Sequence, residues 1–142
     1  MKLVKHLLDN KGGTIISITE DASVLDAITL MADRSIGSLL VMDGQVLKGI
    51  VTERDYARKV IVKGRSSNTT KVGEIMTSTV VTATVEQTVT DCMTVMTERK
   101  IRHLPVVADG QVIGMISIGD LVQAIIAQQQ EEIQHLEQYI SG

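Results

Sequence analysis

The sequence predicts a mixed α/β (α+β) fold made of two copies of one β-α-β-β-α unit. The first observation is an internal repeat, because Gly49–Asp55 returns as Gly114–Asp120 sixty-five positions later. The second is the order of the predicted elements, which is the same on both sides of the polar segment 63–70. The third is an Asp-Gly pair between two apolar runs in each half, which is typical of a β-hairpin. Since an open solenoid needs at least about three repeats, two copies predict one duplicated domain whose halves pair face to face.

Local patterns predict each element of the first half in turn. Ser23 is placed to cap a helix, because apolar residues after it recur at the spacing of a buried helical stripe. In chain order we predict a helix over 2–9, a strand over 14–18, a helix over 23–34, strands over 36–42 and 45–51, and a helix from about Arg54.

The second half repeats this order after the polar linker. In chain order we predict a short helix over 72–76, a strand over 79–83, a helix over 88–99, strands over 102–107 and 111–117, and a helix from about 120. We therefore divide the chain into a first repeat over 1–66, a second repeat over 67–127 and a C-terminal helical extension over 128–142.

The extension carries apolar side chains at alternating spacings of four and three residues. The positions of this seam are Val122, Ile126, Gln129, Ile133, Leu136 and Ile140. A heptad seam with one polar position predicts a partner helix. The alternative is a helix that folds back on its own domain.

Composition limits the class of protein. The chain has 142 residues and no Phe or Trp, so branched aliphatic residues and methionine must fill its core. A formal net charge of −3 and only two tyrosines provide neither a basic patch nor a stacking platform for nucleic acid. No apolar run reaches the roughly eighteen residues of a membrane span, and the N-terminus lacks the long apolar stretch of a signal peptide. We therefore expect a cytoplasmic protein without a nucleic-acid or membrane partner.

The repeated motif has two interpretations. In both copies an apolar strand ends at a hydroxyl residue, Thr52 or Ser117, and an aspartate follows three positions later, Asp55 or Asp120. The motif can serve only to cap a helix, with the aspartate favoured by the helix dipole. It can also bind a ligand, because a helix start offers N–H groups to phosphate and an aspartate can accept hydrogen bonds from ribose hydroxyls. A nucleoside phosphate is the ligand class that fits the second interpretation.

The residues beside the two motifs differ in charge. Arg102 and His103 precede the second hairpin, whereas Gly37 and Ser38 hold the same positions in the first half. A fixed guanidinium and a titrating imidazole suit phosphate, although both can also decorate an exposed strand. Arg54 can supply a cation to the first half, or can be a solvated arginine at a helix start.

Catalysis and metal binding find little support in the sequence. The three histidines are widely spaced, and no CxxC or HxxxH spacing, Ser-His-Asp set or P-loop is present. Cys92 is the only cysteine and lies on the apolar side of a predicted helix, so we expect a buried, inert thiol. We expect no catalytic residue and no metal site.

These residues resemble the cystathionine-β-synthase (CBS) domain pair, or Bateman module. The resemblance is carried by the two Gly-h-h-Ser/Thr-x-x-Asp motifs, by Ile75-Met76-Thr77 and by Arg-His-Leu-Pro-Val-Val at 102–107. It covers essentially the whole chain and leaves no further enzyme, channel or DNA-binding domain. It implies a stand-alone, non-catalytic CBS-pair protein whose repeats pack through their sheets about a pseudo-twofold axis.

The resemblance also implies a function. CBS pairs bind adenine-containing ligands, namely AMP, ADP, ATP, NAD or S-adenosylmethionine, in clefts between the repeats and report energy or metabolite state to a regulated protein, which is unknown here. Asp55 and Asp120 are expected on ribose, and Thr52 and Ser117 on phosphate or ribose. The expected nucleotide-binding residues are Thr14, Ile16, Ser38, Thr52, Arg54, Asp55, Thr79, Val81, Arg102, His103, Pro105, Ser117 and Asp120. Family modules pair through their helices, so we expect a homodimer. The alternative function is a ligand-independent dimerisation or scaffold module.

Overall fold

The computed structural model describes residues 2–11 and 15–141, so the predicted site residue Thr14 lies outside the described residues. The helices are α1 (Val4–Lys11), α2 (Val24–Arg34), α3 (Glu53–Tyr56), α4 (Val72–Ile75), α5 (Val89–Arg99) and α6 (Ile118–Ser141). The strands are β1 (Ser17–Ile18), β2 (Ser38–Asp43), β3 (Val46–Thr52), β4 (His103–Ala108) and β5 (Gln111–Ser117). A π-helical turn, Ala57–Ile61, continues α3. The predicted mixed α/β fold is confirmed.

Side-chain caps fix the starts of the two longer helices inside the repeats. The Ser23 hydroxyl accepts a hydrogen bond from the Asp26 N–H at 3.1 Å, and the Thr88 hydroxyl accepts one from the Asp91 N–H at 3.0 Å. These caps satisfy N–H groups that have no partner inside the helix. The predicted start of α2 after Ser23 is therefore confirmed, and α5 begins in the same way.

The first sheet contains three strands in the order β1-β2-β3. β1 runs parallel to β2, and β2 pairs antiparallel with β3 through the predicted turn, where Gly44 has a φ of 60°. Val41 pairs with Gly49 and Met42 with Leu47, so Lys48 is an extra residue in β3. This β-bulge accommodates the residue by which the two hairpins differ in register.

The second sheet has two strands among the described residues, β4 and β5, and the predicted strand over 79–83 is wrong. Only Ala83 pairs with the sheet: its N–H donates to the Pro105 carbonyl at 2.9 Å, and its carbonyl accepts from the Val107 N–H at 2.9 Å. In the first repeat, the next bond of this ladder runs from the Leu40 N–H to the Ile16 carbonyl at 3.3 Å. Pro105 holds the position of Leu40 but has no N–H, so the ladder ends there.

The chain forms two compact units, and the short helix that leads each repeat belongs to the other repeat's unit. The first unit comprises Ile15–Val81 with Gly110–Val112, and therefore contains α4. The second unit contains α1 together with α5, β4, α6 and the rest of β5. The division of the chain at 66/67 and 127/128 into sequential repeats stays a prediction.

Backbone hydrogen bonds hold both leading helices in place. In the first unit the Val72 N–H donates to the Ala22 carbonyl at 2.9 Å and the Gly73 N–H to the Glu20 carbonyl at 3.0 Å. In the second unit the Val4 N–H donates to the Gln87 carbonyl at 2.9 Å. Each leading helix thus covers the start of a longer helix.

Aliphatic side chains and methionine fill both cores, as the composition predicts. The buried core of the first unit consists of Val24, Ala27, Met31, Leu39, Val41, Val51, Val60, Val72 and Ile75. The second unit buries Val4, Leu7, Ala83, Val89, Cys92, Met96, Leu104, Val106, Ile116, Leu121 and Ala124. Both cores include a residue of the strand that ends at the repeated motif, namely Val51 of β3 and Ile116 of β5.

Candidate functional site

The first motif, Thr52–Asp55, forms a reciprocal cap at the end of β3 and the start of α3. The Thr52 hydroxyl accepts from the Asp55 N–H at 3.1 Å, and the Thr52 N–H donates to Asp55 Oδ2 at 3.0 Å. The Thr52 hydroxyl also lies 3.1 Å from Asp55 Oδ2 and donates to it. The capping interpretation is therefore correct for this motif, whether or not it also binds a ligand.

The second motif, Ser117–Asp120, repeats this arrangement between β5 and α6. The Ser117 N–H donates to Asp120 Oδ2 at 2.8 Å, and the Asp120 N–H donates to the Ser117 hydroxyl at 3.2 Å. Both motifs hold a hydroxyl and a carboxylate at the start of a helix that follows a buried strand. Such a helix start has partial positive charge and favours anions.

A backbone hydrogen bond joins each motif to the residue just before the first strand of its hairpin, β2 or β4. The Glu53 N–H donates to the Gly37 carbonyl at 3.0 Å, and the Ile118 N–H donates to the Arg102 carbonyl at 2.8 Å. Ser38 then pairs directly with Thr52 across β2 and β3, and only 6% of Ser38 is exposed. The structure therefore brings Ser38 together with the first motif, and Arg102 and His103 together with the second.

The cationic residues predicted from the sequence lie at the edges of these motifs. Arg102 is exposed and His103 is half-buried at the start of β4, while Arg54 is exposed in the first turn of α3. Positive charge beside the second motif thus comes from residues at the start of β4. Positive charge beside the first motif comes from Arg54 in α3.

The remaining predicted nucleotide-binding residues that the structure describes have mixed positions. Ile16 is half-buried against the core of the first unit, and Pro105 is buried in β4 of the second unit. Thr79 is exposed and Val81 half-buried, and both belong to the first unit, whereas Ser117 and Asp120 belong to the second.

Lys59 contacts the first motif and was not predicted from the sequence. Its ammonium nitrogen lies 3.2 Å from Asp55 Oδ1 and donates to the Ile75 carbonyl at 2.8 Å. The Asp55 side chain is 14% exposed and that of Lys59 is 45% exposed. The spacing of four residues between the two is a signal for helical ion pairs that could have identified the contact with Asp55.

Neither a metal centre nor a reactive thiol is found in the described part of the chain. Residues 2–11 and 15–141 contain no group of three or more His, Cys, Asp or Glu residues placed to hold a metal ion. Cys92 is buried, and desolvation, followed by the charge of Asp91, raises the pKa of its thiol. The thiol therefore stays protonated at neutral pH, as expected for an inert core cysteine.

Comparison with known proteins identifies the family. The sequence profile of the CBS domain matches residues 13–62 and 72–127, which is most of the chain. The protein belongs to the CBS domain family. It is similar to the CBS domain-containing protein CBSX3, mitochondrial, of Arabidopsis thaliana, with 44% identity over 148 residues that cover 98% of this chain and 72% of that protein.

Solved structures of CBS proteins share the fold. A protein with CBS domains from Burkholderia ambifaria MC40-6 is 50% identical, with a TM-score of 0.87 over 90% of this chain and 96% of that one. The CBS domain pair of MJ0100, in complex with 5′-methylthioadenosine and S-adenosyl-L-methionine, is 26% identical, with a TM-score of 0.80 over 90% of this chain and 98% of that one. The present protein is, like its relatives, a non-catalytic CBS-pair regulatory module. Within the described residues, no helix is both long enough and apolar enough to cross a membrane.

Proposed function

We propose that this CBS pair senses adenosine-containing ligands, which bind at the first and second motifs and alter the surface offered to a regulated protein. The observation that carries the proposal is the reciprocal hydroxyl-carboxylate cap that occurs at both helix starts. Both repeats have this cap although their sheets differ. The first repeat has the strand β1, whereas in the second repeat Ala83 alone forms a bridge to β4. The complex of the MJ0100 CBS pair with two adenosine derivatives supports this ligand class.

Each motif supplies groups that suit a ribose. Asp55 and Asp120 carry carboxylate oxygens that can accept from ribose hydroxyls, and the hydroxyls of Thr52 and Ser117 can contact ribose or phosphate. The aliphatic side chains of Ile16 and Val81 suit the face of adenine, and Thr14, Thr79 and Pro105 stay predicted nucleotide-binding residues.

Phosphate binding is proposed mainly beside the second motif. Arg102 is a permanent cation and the His103 imidazole can donate a hydrogen bond, so we propose that a nucleotide phosphate gains charge-assisted hydrogen bonds there. Beside the first motif, Ser38 provides a hydroxyl and Arg54 the nearby cation. We therefore propose AMP, ADP, ATP or NAD as preferred ligands of the second motif. S-adenosylmethionine, which lacks phosphate, remains a ligand for either motif.

A ligand can act as a signal only through a difference in its affinity for two conformations of the protein. We propose that the responding partner is another protein and that the module works as a homodimer. We propose the cytoplasm as its location. The name of the Arabidopsis relative makes the mitochondrion the alternative, which cell fractionation of the source organism distinguishes.

A second candidate function is a ligand-independent dimerisation or scaffold module. Two observations favour it: both motifs satisfy their own hydrogen bonds without a ligand, and α6 exposes a row of apolar side chains. In that case Asp55 and Asp120 act only as helix caps.

A thermal-shift panel separates the two functions. Purified protein is heated with AMP, ADP, ATP, NAD or S-adenosylmethionine, each in large excess, and with GTP as the control. A ligand at about one hundred times its dissociation constant adds roughly 2.7 kcal/mol to the free energy of unfolding. For a domain of this size we expect a midpoint rise of several degrees with at least one adenine ligand and none with GTP. Unchanged midpoints throughout would favour the scaffold.

A further inference from the structure

We propose that Lys59 is an internal competitor for the ribose site of the first motif and sets the ligand affinity of that motif. This inference rests on the proposed function, because it takes Asp55 as a ribose acceptor. Its ammonium group occupies one oxygen of Asp55 and connects it to the end of α4. A ligand that binds Asp55 must therefore displace Lys59 or share the oxygen with it.

The hydrogen bonds of Asp55 show which oxygen a ligand can use. Oδ2 already accepts from the Thr52 N–H at 3.0 Å and from the Thr52 hydroxyl at 3.1 Å. Oδ1 faces Lys59 Nζ at 3.2 Å. Because the bonds to Thr52 hold the cap together, Oδ1 is the oxygen available to ribose, and it is the one that Lys59 occupies.

A local irregularity of the helix accompanies this contact. α3 lasts a single turn and then widens into the π-helical turn, in which the Val62 N–H donates to the Ala57 carbonyl at 3.0 Å. Lys59 is the central residue of that turn. A π-helical turn changes the direction of its side chains relative to a regular α-helix and often lies at functional sites.

The other contact of Lys59 lies at the C-terminal end of α4. Ile75 is the last residue of that helix, where carbonyl groups lack partners inside the helix, and Lys59 donates to its carbonyl. The next residues join β3: the Thr77 N–H donates to the Ile50 carbonyl at 2.9 Å, and the Ile50 N–H donates back at 3.0 Å. Lys59 therefore links the carboxylate of the motif to the segment Ile75–Thr77.

The second repeat has no such lysine, because the position that corresponds to Lys59 is Ala124. Ala124 is only 9% exposed. The first motif therefore has a lysine at a position where the second repeat has alanine, and we expect this lysine to weaken the affinity of the first motif for a neutral ribose.

The test uses adenosine, which carries a ribose but no phosphate, as the calorimetric probe. Lys59→Met is made in an Asp120→Ala background, so that only the first motif retains its carboxylate. We expect adenosine to bind roughly two- to fivefold more tightly, the effect of removing a partly exposed ion pair. Lys59→Arg should keep the original affinity. The matched control is Lys48→Met, which removes an equal charge from β3, where Lys48 lies 3.9 Å from Glu20.

Hydrogen exchange at the Met76 and Thr77 amides provides a second readout, which a purely structural role would not link to ligand. With Lys59 present, adenosine should speed exchange at these amides, because displacement of Lys59 by the ligand releases the end of α4. In Lys59→Met the exchange should be fast already and should not respond to adenosine. Such non-additivity is the signature of coupling between two groups.

The outcomes separate this inference from the proposed function. If neither adenosine nor any adenine ligand of the thermal-shift panel binds the wild-type protein or the variants, the proposed function fails and the competitor fails with it. If adenosine binds Lys59→Met and the parent protein equally, the competitor alone is overturned. If Lys59→Met weakens AMP and leaves adenosine unchanged, Lys59 is a phosphate contact and the competitor is also overturned.

Discussion

At the scale of single residues, capping and the proposed ligand binding use the same side chains. The oxygen of Asp120 that accepts from the Ser117 N–H completes the start of α6, and Asp55 does the same for α3. A hydrogen-bonded cap keeps the carboxylate in one orientation before any ligand arrives, which lowers the entropic cost of binding. The two interpretations of the motif are thus compatible, and only a ligand measurement separates them.

Asp120→Ala should lower the free energy of unfolding by about 1 kcal/mol, the usual cost of a lost cap. The variant loses the acceptor for the Ser117 N–H and a negative charge in the first turn of α6. Asp26→Ala is the control, because the cap of α2 uses the Ser23 hydroxyl and the Asp26 backbone N–H, which alanine retains. Urea denaturation should therefore show a smaller loss for Asp26→Ala, and equal losses would contradict the capping role.

The sequence predicts the motifs but not all of their contacts. Thr52, Asp55, Ser117 and Asp120 repeat at a constant offset, and their capping geometry depends only on residues three positions apart. The contact of Lys59 with the Ile75 carbonyl depends instead on how α4 packs. Such a tertiary contact leaves no periodic signal in the sequence.

At the scale of elements, the sequence predicts the features that depend on interactions between neighbouring residues. The starts of α2 and α5 follow from their hydroxyl caps, and the hairpin turns follow from Asp43-Gly44 and Asp109-Gly110. The exchange of α1 and α4 between the units is non-local, so the order of elements along the chain does not reveal it. The missing strand before β4 has a cause that is visible in the sequence, because Pro105 cannot donate the next ladder bond.

Gly49→Ala should destabilise the first unit, since an added Cβ would lie 2.7 Å from the Thr77 carbonyl oxygen and 2.9 Å from Met76 Sδ. The backbone of residue 77 is hydrogen-bonded to β3 and cannot easily move. We expect a loss of about 1–3 kcal/mol, typical of overpacking.

Gly114→Ala is the matched test in the second unit. Its Cβ would lie 2.7 Å from Leu8 Cδ2, the end of a flexible side chain that can turn away. Chemical denaturation of both variants should show the smaller loss for Gly114→Ala. An equal or larger loss there would mean that the segment Met76–Thr77 yields more readily than Leu8.

At the scale of the whole molecule, α6 carries the surface best suited to a second copy. Beyond the core residues Leu121 and Ala124, it exposes much of each apolar residue of the heptad seam, from 42% of Val122 to 82% of Ile140. Two copies of a seam with 4-3-4-3-4 spacing match each other when the helices run antiparallel, which places Val122 opposite Ile140 and Ile126 opposite Leu136. Burial of these side chains is the expected driving force of the proposed homodimer.

Leu136→Glu should therefore weaken the dimer, because it places a charge in the apolar seam. Gln134→Glu adds the same charge to the same helix outside the seam and should leave the dimer intact. Sedimentation equilibrium should show the monomer mass for Leu136→Glu at concentrations at which the wild-type protein and Gln134→Glu remain dimers. Dimers of equal strength in all three proteins would exclude α6 as the contact.

The most direct test of the central claim is calorimetric titration of the protein with AMP and with S-adenosylmethionine, before and after both motif carboxylates are removed by Asp55→Ala and Asp120→Ala. We predict saturable binding of at least one ligand by the wild-type protein. In the double variant, shown to be folded, we predict binding roughly tenfold weaker or more, as expected for lost hydrogen bonds to charged groups. Equal affinity in both proteins, or no binding by the wild-type protein, would contradict the claim that the repeated motifs hold an adenosine ligand.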